Sequence, residues 1–123
     1  YWEKVKTKMS DKIKFIGPIS HKDITEFYQS GNLFVNFSDT GSMDKAVLEA
    51  MASGIEVLTS NEAFAEVLGG EIFTEKKPTK IAQKIIKMAN NNAKTSGLAE
   101  YVRDNHNLDN LVGKVINFYE KII

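Results

Sequence analysis

The chain has 123 residues, enough for one hydrophobic core and little more. Its 16 basic and 16 acidic residues cancel, so no basic excess is available to neutralise the phosphates of a nucleic acid. With no cysteine and two histidines it offers neither a disulfide scaffold nor a thiolate or His-rich metal centre, and no apolar run approaches the roughly 18 residues of a membrane span.

Trp2, Val5 and Met9 fall three and four apart, one face of a helix with no capping residue ahead of it. The first residue is Tyr1 and no signal peptide is visible, so a fragment of a longer cytoplasmic protein is expected. Lys12 to Ile16 is a strand candidate, broken by Gly17-Pro18. Ser20, with Asp23 three residues on, reads as the N-cap of a helix over His21 to Gln29. Leu33 to Phe37 is a second strand, apolar except for Asn36, the pattern of a strand covered on both faces. Ser38 to Met43 is a loop of small and polar residues. Asp44 to Ser53 is a short helix closed by Gly54, and Ile55 to Thr59 is a third strand. Asn61 to Leu68 is expected as a helix ended by Gly69-Gly70, and Glu71 to Thr74 as a brief strand. Pro78 opens a long helix with Ile81, Ile85 and Met88 on its core face, stopped by Asn90, Asn91 and Asn92. Helices over Ser96 to Asn105 and Leu108 to Ile122 follow; in the last, Leu111, Val115, Phe118, Tyr119 and Ile122 keep helical spacing. Trp2, Phe27, Tyr28, Phe34, Phe37, Phe118 and Tyr119 are assigned to the core.

Strands alternating with helices on short connections predict an α/β fold, a Rossmann-like parallel sheet with flanking helices. No repeat or linker divides it, so residues 1–123 are read as one domain. Ligands of such sheets bind beyond the carboxyl ends of the strands. Three loops lie there: Gly17 to Ser20, Ser38 to Met43, and Ser60 to Glu62. The second runs straight from a strand into a helix. Its Gly41 and small side chains let a ligand approach the backbone, and the free N–H groups at the helix start favour a phosphate. A simple capped turn has the same composition. Glu49 stands alone in the apolar run Ala46-Val47-Leu48-Glu49-Ala50-Met51-Ala52, so its carboxylate needs a partner or a ligand. It lies roughly 7.5 Å along the axis from Asp44 at 1.5 Å per residue, a spacing that suits the ribose of a diphosphate held at the helix mouth. Pairing with a buried Lys or a backbone N–H is the alternative.

The stretch Phe37-Ser38, a small loop, and then Lys45-Ala46-Val47-Leu48-Glu49-Ala50-Met51-Ala52-Ser53-Gly54 resembles the donor-binding signature of the family 4 retaining glycosyltransferases, of GT-B fold. Phe15-Ile16-Gly17-Pro18-Ile19 is similar to the family's strand and turn before the donor base. Glu56-Val57-Leu58-Thr59-Ser60 stands where the family often has a Pro-Val-Ile strand, and Glu66-Val67 near a recurrent Glu-Val pair. Asn105-His106-Asn107-Leu108 through Tyr119 resembles the closing helices. The resemblance covers nearly the whole chain, with Glu49 to Gly54 its most specific part. It implies the incomplete C-terminal half of a GT-B glycosyltransferase: a truncated nucleotide-sugar-binding domain without its first strand–helix unit and without the N-terminal acceptor domain. The implied partner is a nucleotide diphosphate sugar. Glu49 is implied to bind the donor ribose, and the backbone around Ser42, Met43, Asp44 and Lys45 the diphosphate. Asp39, Thr40 and Gly41 are implied at the donor sugar, and Gly17, Pro18 and Ile19 beside the base. No metal and no other cofactor is implied, and membrane association of the intact enzyme is left open.

The departures from the family pattern carry consequences. A second Glu often stands eight residues before the ribose Glu, where it touches sugar hydroxyls; here that position is Gly41, with Asp39 as the candidate replacement. Asp44 at a phosphate-binding helix mouth repels the ligand unless it points aside. Lys45 is the nearest cation, either a phosphate contact or a solvated surface lysine. His21 opens a helix on the ligand side, and His106 reads as structural. No catalytic residue is assigned. The resemblance implies retaining sugar transfer by the intact protein and an inactive fragment. The rival readings are a non-catalytic nucleotide-sugar-binding or assembly module, a nucleotide-sugar epimerase, and a receiver-like domain, for which the acidic pair at the first strand is missing.

Overall fold

The computed structural model describes residues 2–7, 10–39, 41–91, 95 and 97–122, with the side chain of Trp2 excepted. In chain order the elements are α1 (Trp2–Lys6), α2 (Ile24–Gln29), β1 (Leu33–Asn36), α3 (Lys45–Ala52), β2 (Glu56–Thr59), two short 3₁₀ turns, α4 (Pro78–Asn90), α5 (Leu98–Asn105) and α6 (Leu108–Glu120). Met9 and Ser96, placed on helices by the sequence reading, lie outside the described residues, as does Thr40.

β1 and β2 pair in parallel, Leu33 opposite Glu56 and Asn36 opposite Thr59. A parallel pair needs a crossover, and α3 supplies it. Beyond β2 a single parallel bridge joins Thr59 to Phe73, so the brief strand expected over Glu71 to Thr74 contributes one pairing. Thr59 N–H donates to Ile72 O at 2.8 Å, and Thr74 N–H to Thr59 O at 2.9 Å.

The core lies where α3 packs on this sheet. Val47, Ala50 and Met51 of α3 are fully buried, together with Val57 and Leu58 of β2, Phe64 and Ile72. Leu98 on α5 belongs to the same cluster, with Tyr101 and Val102 packed against it. Apolar residues at i, i+3 and i+4 put one face of α3 inward, which is why so short a helix is held firmly.

Three expectations are corrected. The strand expected over Lys12 to Ile16 is irregular chain, with Ile13, Phe15 and Ile16 more than half exposed. Apolar alternation makes a segment fit for a sheet, but a strand also needs a neighbour to satisfy its backbone. None of the described strands pairs with this one. The helix expected over Asn61 to Leu68 is replaced by 3₁₀ turns at Glu62–Phe64 and Val67–Gly70, the second of them kinked where Leu68 takes a left-handed φ of 50°. Because Phe73 pairs with the same end of β2 that the chain has just left, the connection need not descend a strand's length. Gly70 is needed here: its φ is +78°, and a Cβ would meet Ala65 O at 2.9 Å. The third correction concerns the aromatic core. Tyr28 is buried, with Phe34 edge-on to it at 5.4 Å, but Phe27, Phe118 and Tyr119 are 40%, 63% and 61% exposed. α6 keeps its apolar spacing yet has no buried residue, and the face expected to be core on α4 is half-buried.

Candidate functional site

The carboxyl ends of β1 and β2 are stitched together by polar side chains. Asn36, the one polar residue of β1, accepts from Ser38 N–H at 3.2 Å, from Ser38 Oγ at 3.0 Å and from Thr59 Oγ1 at 3.4 Å. Thr59 Oγ1 in turn accepts from Asn61 N–H at 3.0 Å. Asn61 is 2% exposed. Its Nδ2 donates to Ser42 O at 2.7 Å and to Asp44 Oδ2 at 3.4 Å, and its Oδ1 accepts from Ala63 N–H at 3.0 Å. Ser38 Oγ also donates to Asp44 Oδ2. The loop from Ser38 to Asp44 is therefore tied to both strand ends, and its course is set by Asn36 and Asn61.

Asp44 is the residue ahead of α3. Its backbone is extended and its carbonyl accepts from Val47 N–H at 3.1 Å, but its carboxylate makes no cap bond. The side chain turns aside to Ser38 and Asn61, as a phosphate-binding helix mouth requires. Among the described residues no acceptor meets the N–H groups of Lys45 and Ala46. These are the orphan donors that a helix start offers to an anion.

Two openings bear on the residues named from the sequence. One, of about 390 Å³, lies beyond the strand ends and is lined by Ser38, Asp39, Gly41, Ser60, Asn61, Glu62, Phe73, Glu75 and Lys76. Across it Lys76 Nζ reaches Asp39 Oδ2 at 2.5 Å. At its edge Lys77 Nζ lies 2.7 Å from Glu75, and holds that carboxyl below its ordinary pKa. Ser60 is 7% exposed, and its Oγ has no hydrogen-bond partner among the described residues. The second opening, about 300 Å³, is a shallow cleft between α2 and α3 where Glu49 meets His21, Thr25 and Tyr28. Burial pushes the Tyr28 phenol above its usual 10.0, and the Glu49 carboxylate adds to the rise.

Glu49 is less enclosed than its apolar neighbours suggest. Its side chain is 31% exposed and its Oε1 lies 3.5 Å from Lys45 Nζ, one turn earlier on the helix, while Lys45 is 79% exposed. The partner that the isolated carboxylate calls for is thus a surface lysine, and Lys45 is engaged with Glu49. Of the other residues named from the sequence, Asp39 and Gly41 line the larger opening. Ser42 is exposed, with its carbonyl held by Asn61, and Met43 is half-buried against the core. Gly17, Pro18 and Ile19 line neither opening, though His21 just beyond them lines the cleft with Glu49. Asn61 and Lys76 were missed. Asn36, interrupting an apolar strand, was the visible signal of a polar network at this end of the sheet. Asn61 lies in the loop Ser60 to Glu62 that the sequence places at the strand ends, but nothing local marks its bonds to Ser42 and Asp44, 19 and 17 residues away.

Residues 1–91, about three quarters of the chain, match the family model described as glycosyl transferases group 1. The chain belongs to that family. As a group 1 glycosyl transferase it also has a curated relative, a component of the human phosphatidylinositol N-acetylglucosaminyltransferase, 28% identical over 53 residues. That match covers 43% of this chain and 11% of the relative, so the chain spans about a tenth of that protein's length. No solved structure matches this group 1 chain. No helix among its described residues is long and apolar enough to cross a membrane. The mixed helices and short parallel sheet agree with a Rossmann-like glycosyltransferase fragment.

Proposed function

We propose that this chain is the donor-binding part of a retaining glycosyltransferase of the family 4 kind, which takes a sugar from a nucleotide diphosphate sugar. One observation carries the reading. Among the described residues the N–H groups of Lys45 and Ala46 at the start of α3 lack an acceptor, and the Asp44 carboxylate that would occupy them is held away beside a polar opening at the strand ends. The diphosphate lies on the backbone of Ser42, Met43, Asp44 and Lys45. Those N–H groups and the positive end of the helix dipole stabilise the charge that collects on it as the glycosidic bond breaks. Glu49 receives the ribose hydroxyls. Its pair with Lys45 is exposed and weak, so releasing it costs well under ~1 kcal/mol and frees Lys45 for a phosphate. The sugar reaches towards Asp39, Thr40 and Gly41, and the base towards Gly17, Pro18 and Ile19. The acceptor comes from a second wall of the cleft, on another part of the intact protein. The 123-residue chain by itself then binds donor weakly and transfers nothing.

The test is a thermal-shift screen of the intact protein against UDP-, GDP- and ADP-sugars, N-acetylglucosamine donors included, followed by a transfer assay with the donor that binds. A rise in melting temperature with one nucleotide series and transfer with retained anomeric configuration are expected. The proposal fails if no nucleotide sugar stabilises the protein, or if the donor is epimerised with no acceptor present.

A further inference from the structure

Asn61 does something for the site that neither the opening nor α3 does alone. Asp44 has the extended backbone from which an aspartate ordinarily folds over the start of a helix and accepts from its first-turn N–H groups, a favoured arrangement. Here it makes no such bond. The buried Nδ2 of Asn61 sits between Ser42 O and the Asp44 carboxylate, at 2.7 and 3.4 Å. It is itself fixed by Ala63 N–H on its Oδ1 and by Thr59 on its own N–H. A side chain 2% exposed and bonded at every polar atom has no other orientation to adopt. Ser38 Oγ holds the same carboxylate oxygen, but its single hydrogen is shared between Asp44 and Asn36, whereas each amide hydrogen of Asn61 has its own acceptor.

We infer that Asn61 is a positioning residue: it withholds the Asp44 carboxylate from the first turn of α3 and so keeps that turn open for an anionic group. The inference rests on the proposed diphosphate site for the identity of that group. A second observation lies beside it, in the opening that Ser38 and Asn61 also line. Ser60, adjacent in sequence, lines the larger opening and is nine-tenths buried, with no partner for its Oγ among the described residues. Without the Asn61 amide, the carboxylate gains by swinging onto the open N–H of Ala46. It then meets an incoming phosphate with like charge.

The experiment replaces Asn61 with Ala in the intact protein and reads two quantities. The first is affinity for UDP, GDP or ADP, whichever the parent binds, against affinity for the matching nucleoside. The second is amide hydrogen exchange at Ala46. Asn61→Ala is expected to weaken the nucleoside diphosphate about tenfold, by placing a charge at the helix start, and to leave the nucleoside nearly unchanged. Exchange at Ala46 slows as the carboxylate caps it. Adding Asp44→Ala restores both, a rescue that a merely structural asparagine would not allow. Should Asn61→Ala fail to fold, Asn61→Ser keeps an acceptor for Ala63 N–H at the cap position while its short hydroxyl adds no charge and does not span to Asp44, and the same results are expected. Unchanged exchange at Ala46, or an affinity loss that Asp44→Ala does not recover, overturns the inference. If the exchange response and its reversal appear but no nucleoside diphosphate binds the parent, the positioning stands and the donor-binding reading falls.

Discussion

Glu49 pairs with Lys45, and the proposed donor site gives it a second partner that stability and binding measurements tell apart. Its ion pair with Lys45 is exposed, so Glu49→Gln is expected to change stability by no more than about 0.5 kcal/mol. If the carboxylate accepts from ribose hydroxyls, the same change weakens donor binding by roughly 1.5–3 kcal/mol, the worth of hydrogen bonds to a charged group. Calorimetry of the intact protein with its donor reads the second number; unchanged affinity makes Glu49 a surface residue. Tyr28 provides an internal control. Its raised pKa means that the stability linked to its neutral phenol is whole below 10.0 and is lost as pH climbs through the raised value. Removing the Glu49 charge should bring that pKa part of the way back, leaving the share due to burial, and phenolate absorbance in an alkaline titration follows it. Gly41 is a different case. A Cβ there would meet nothing within 4 Å, but its φ is +69°. Gly41→Val is therefore expected to cost about 1–3 kcal/mol through backbone strain alone, with Gly41→Asn milder, as midpoints of urea unfolding would show.

At the scale of elements, what the sequence reveals depends on whether an element is held by its own pattern or by something far away. β1, α3, β2 and α4 were legible because each carries its own signals: an apolar run, an inward stripe ending at Gly54, a proline at the first turn. The loop at the carboxyl ends was legible too, since a parallel sheet puts ligands there whatever the sequence. The grip on that loop was not. It runs from Asn61 back to Ser42 and Asp44, and from Lys76 back 37 residues to Asp39, and no local spacing encodes such contacts. Nor does helical spacing guarantee burial. Met51 on α3 is fully buried, so Met51→Ala should cost about 2–5 kcal/mol. Val115 on α6 has the same apolar periodicity and is 47% exposed, so Val115→Glu in the 123-residue chain should cost under about 0.5 kcal/mol. The two unfolding midpoints, measured side by side, decide whether α6 is part of the cooperative core. A large loss from Val115→Glu would mean that it is.

Taken whole, the molecule has a small well-packed centre and an unusually apolar periphery. Ile13, Phe15, Ile16 and Val35 are 51%, 53%, 62% and 44% exposed, and the α6 face adds Leu111, Ile116 and Phe118. β1 pairs with β2 along one side, and none of the described strands lies along its other side. An open edge beside exposed apolar side chains is a template for pairing with another chain. The 123-residue chain in isolation is therefore expected to associate at micromolar concentration. Formal neutrality favours this, because no net charge keeps copies apart. Val35→Lys puts a charge beside that edge at a half-exposed position, where little packing is lost. Sedimentation equilibrium should show the association weakened about tenfold or more, since a desolvated lysine in the pairing surface costs well over 1 kcal/mol, while the unfolding midpoint stays within about 0.5 kcal/mol of the parent. A parent chain that remains monomeric across the same range would show that the β1 edge is covered in solution. Association that survives Val35→Lys would move the contact from the sheet edge to the α6 face, where Leu111→Lys is the corresponding variant.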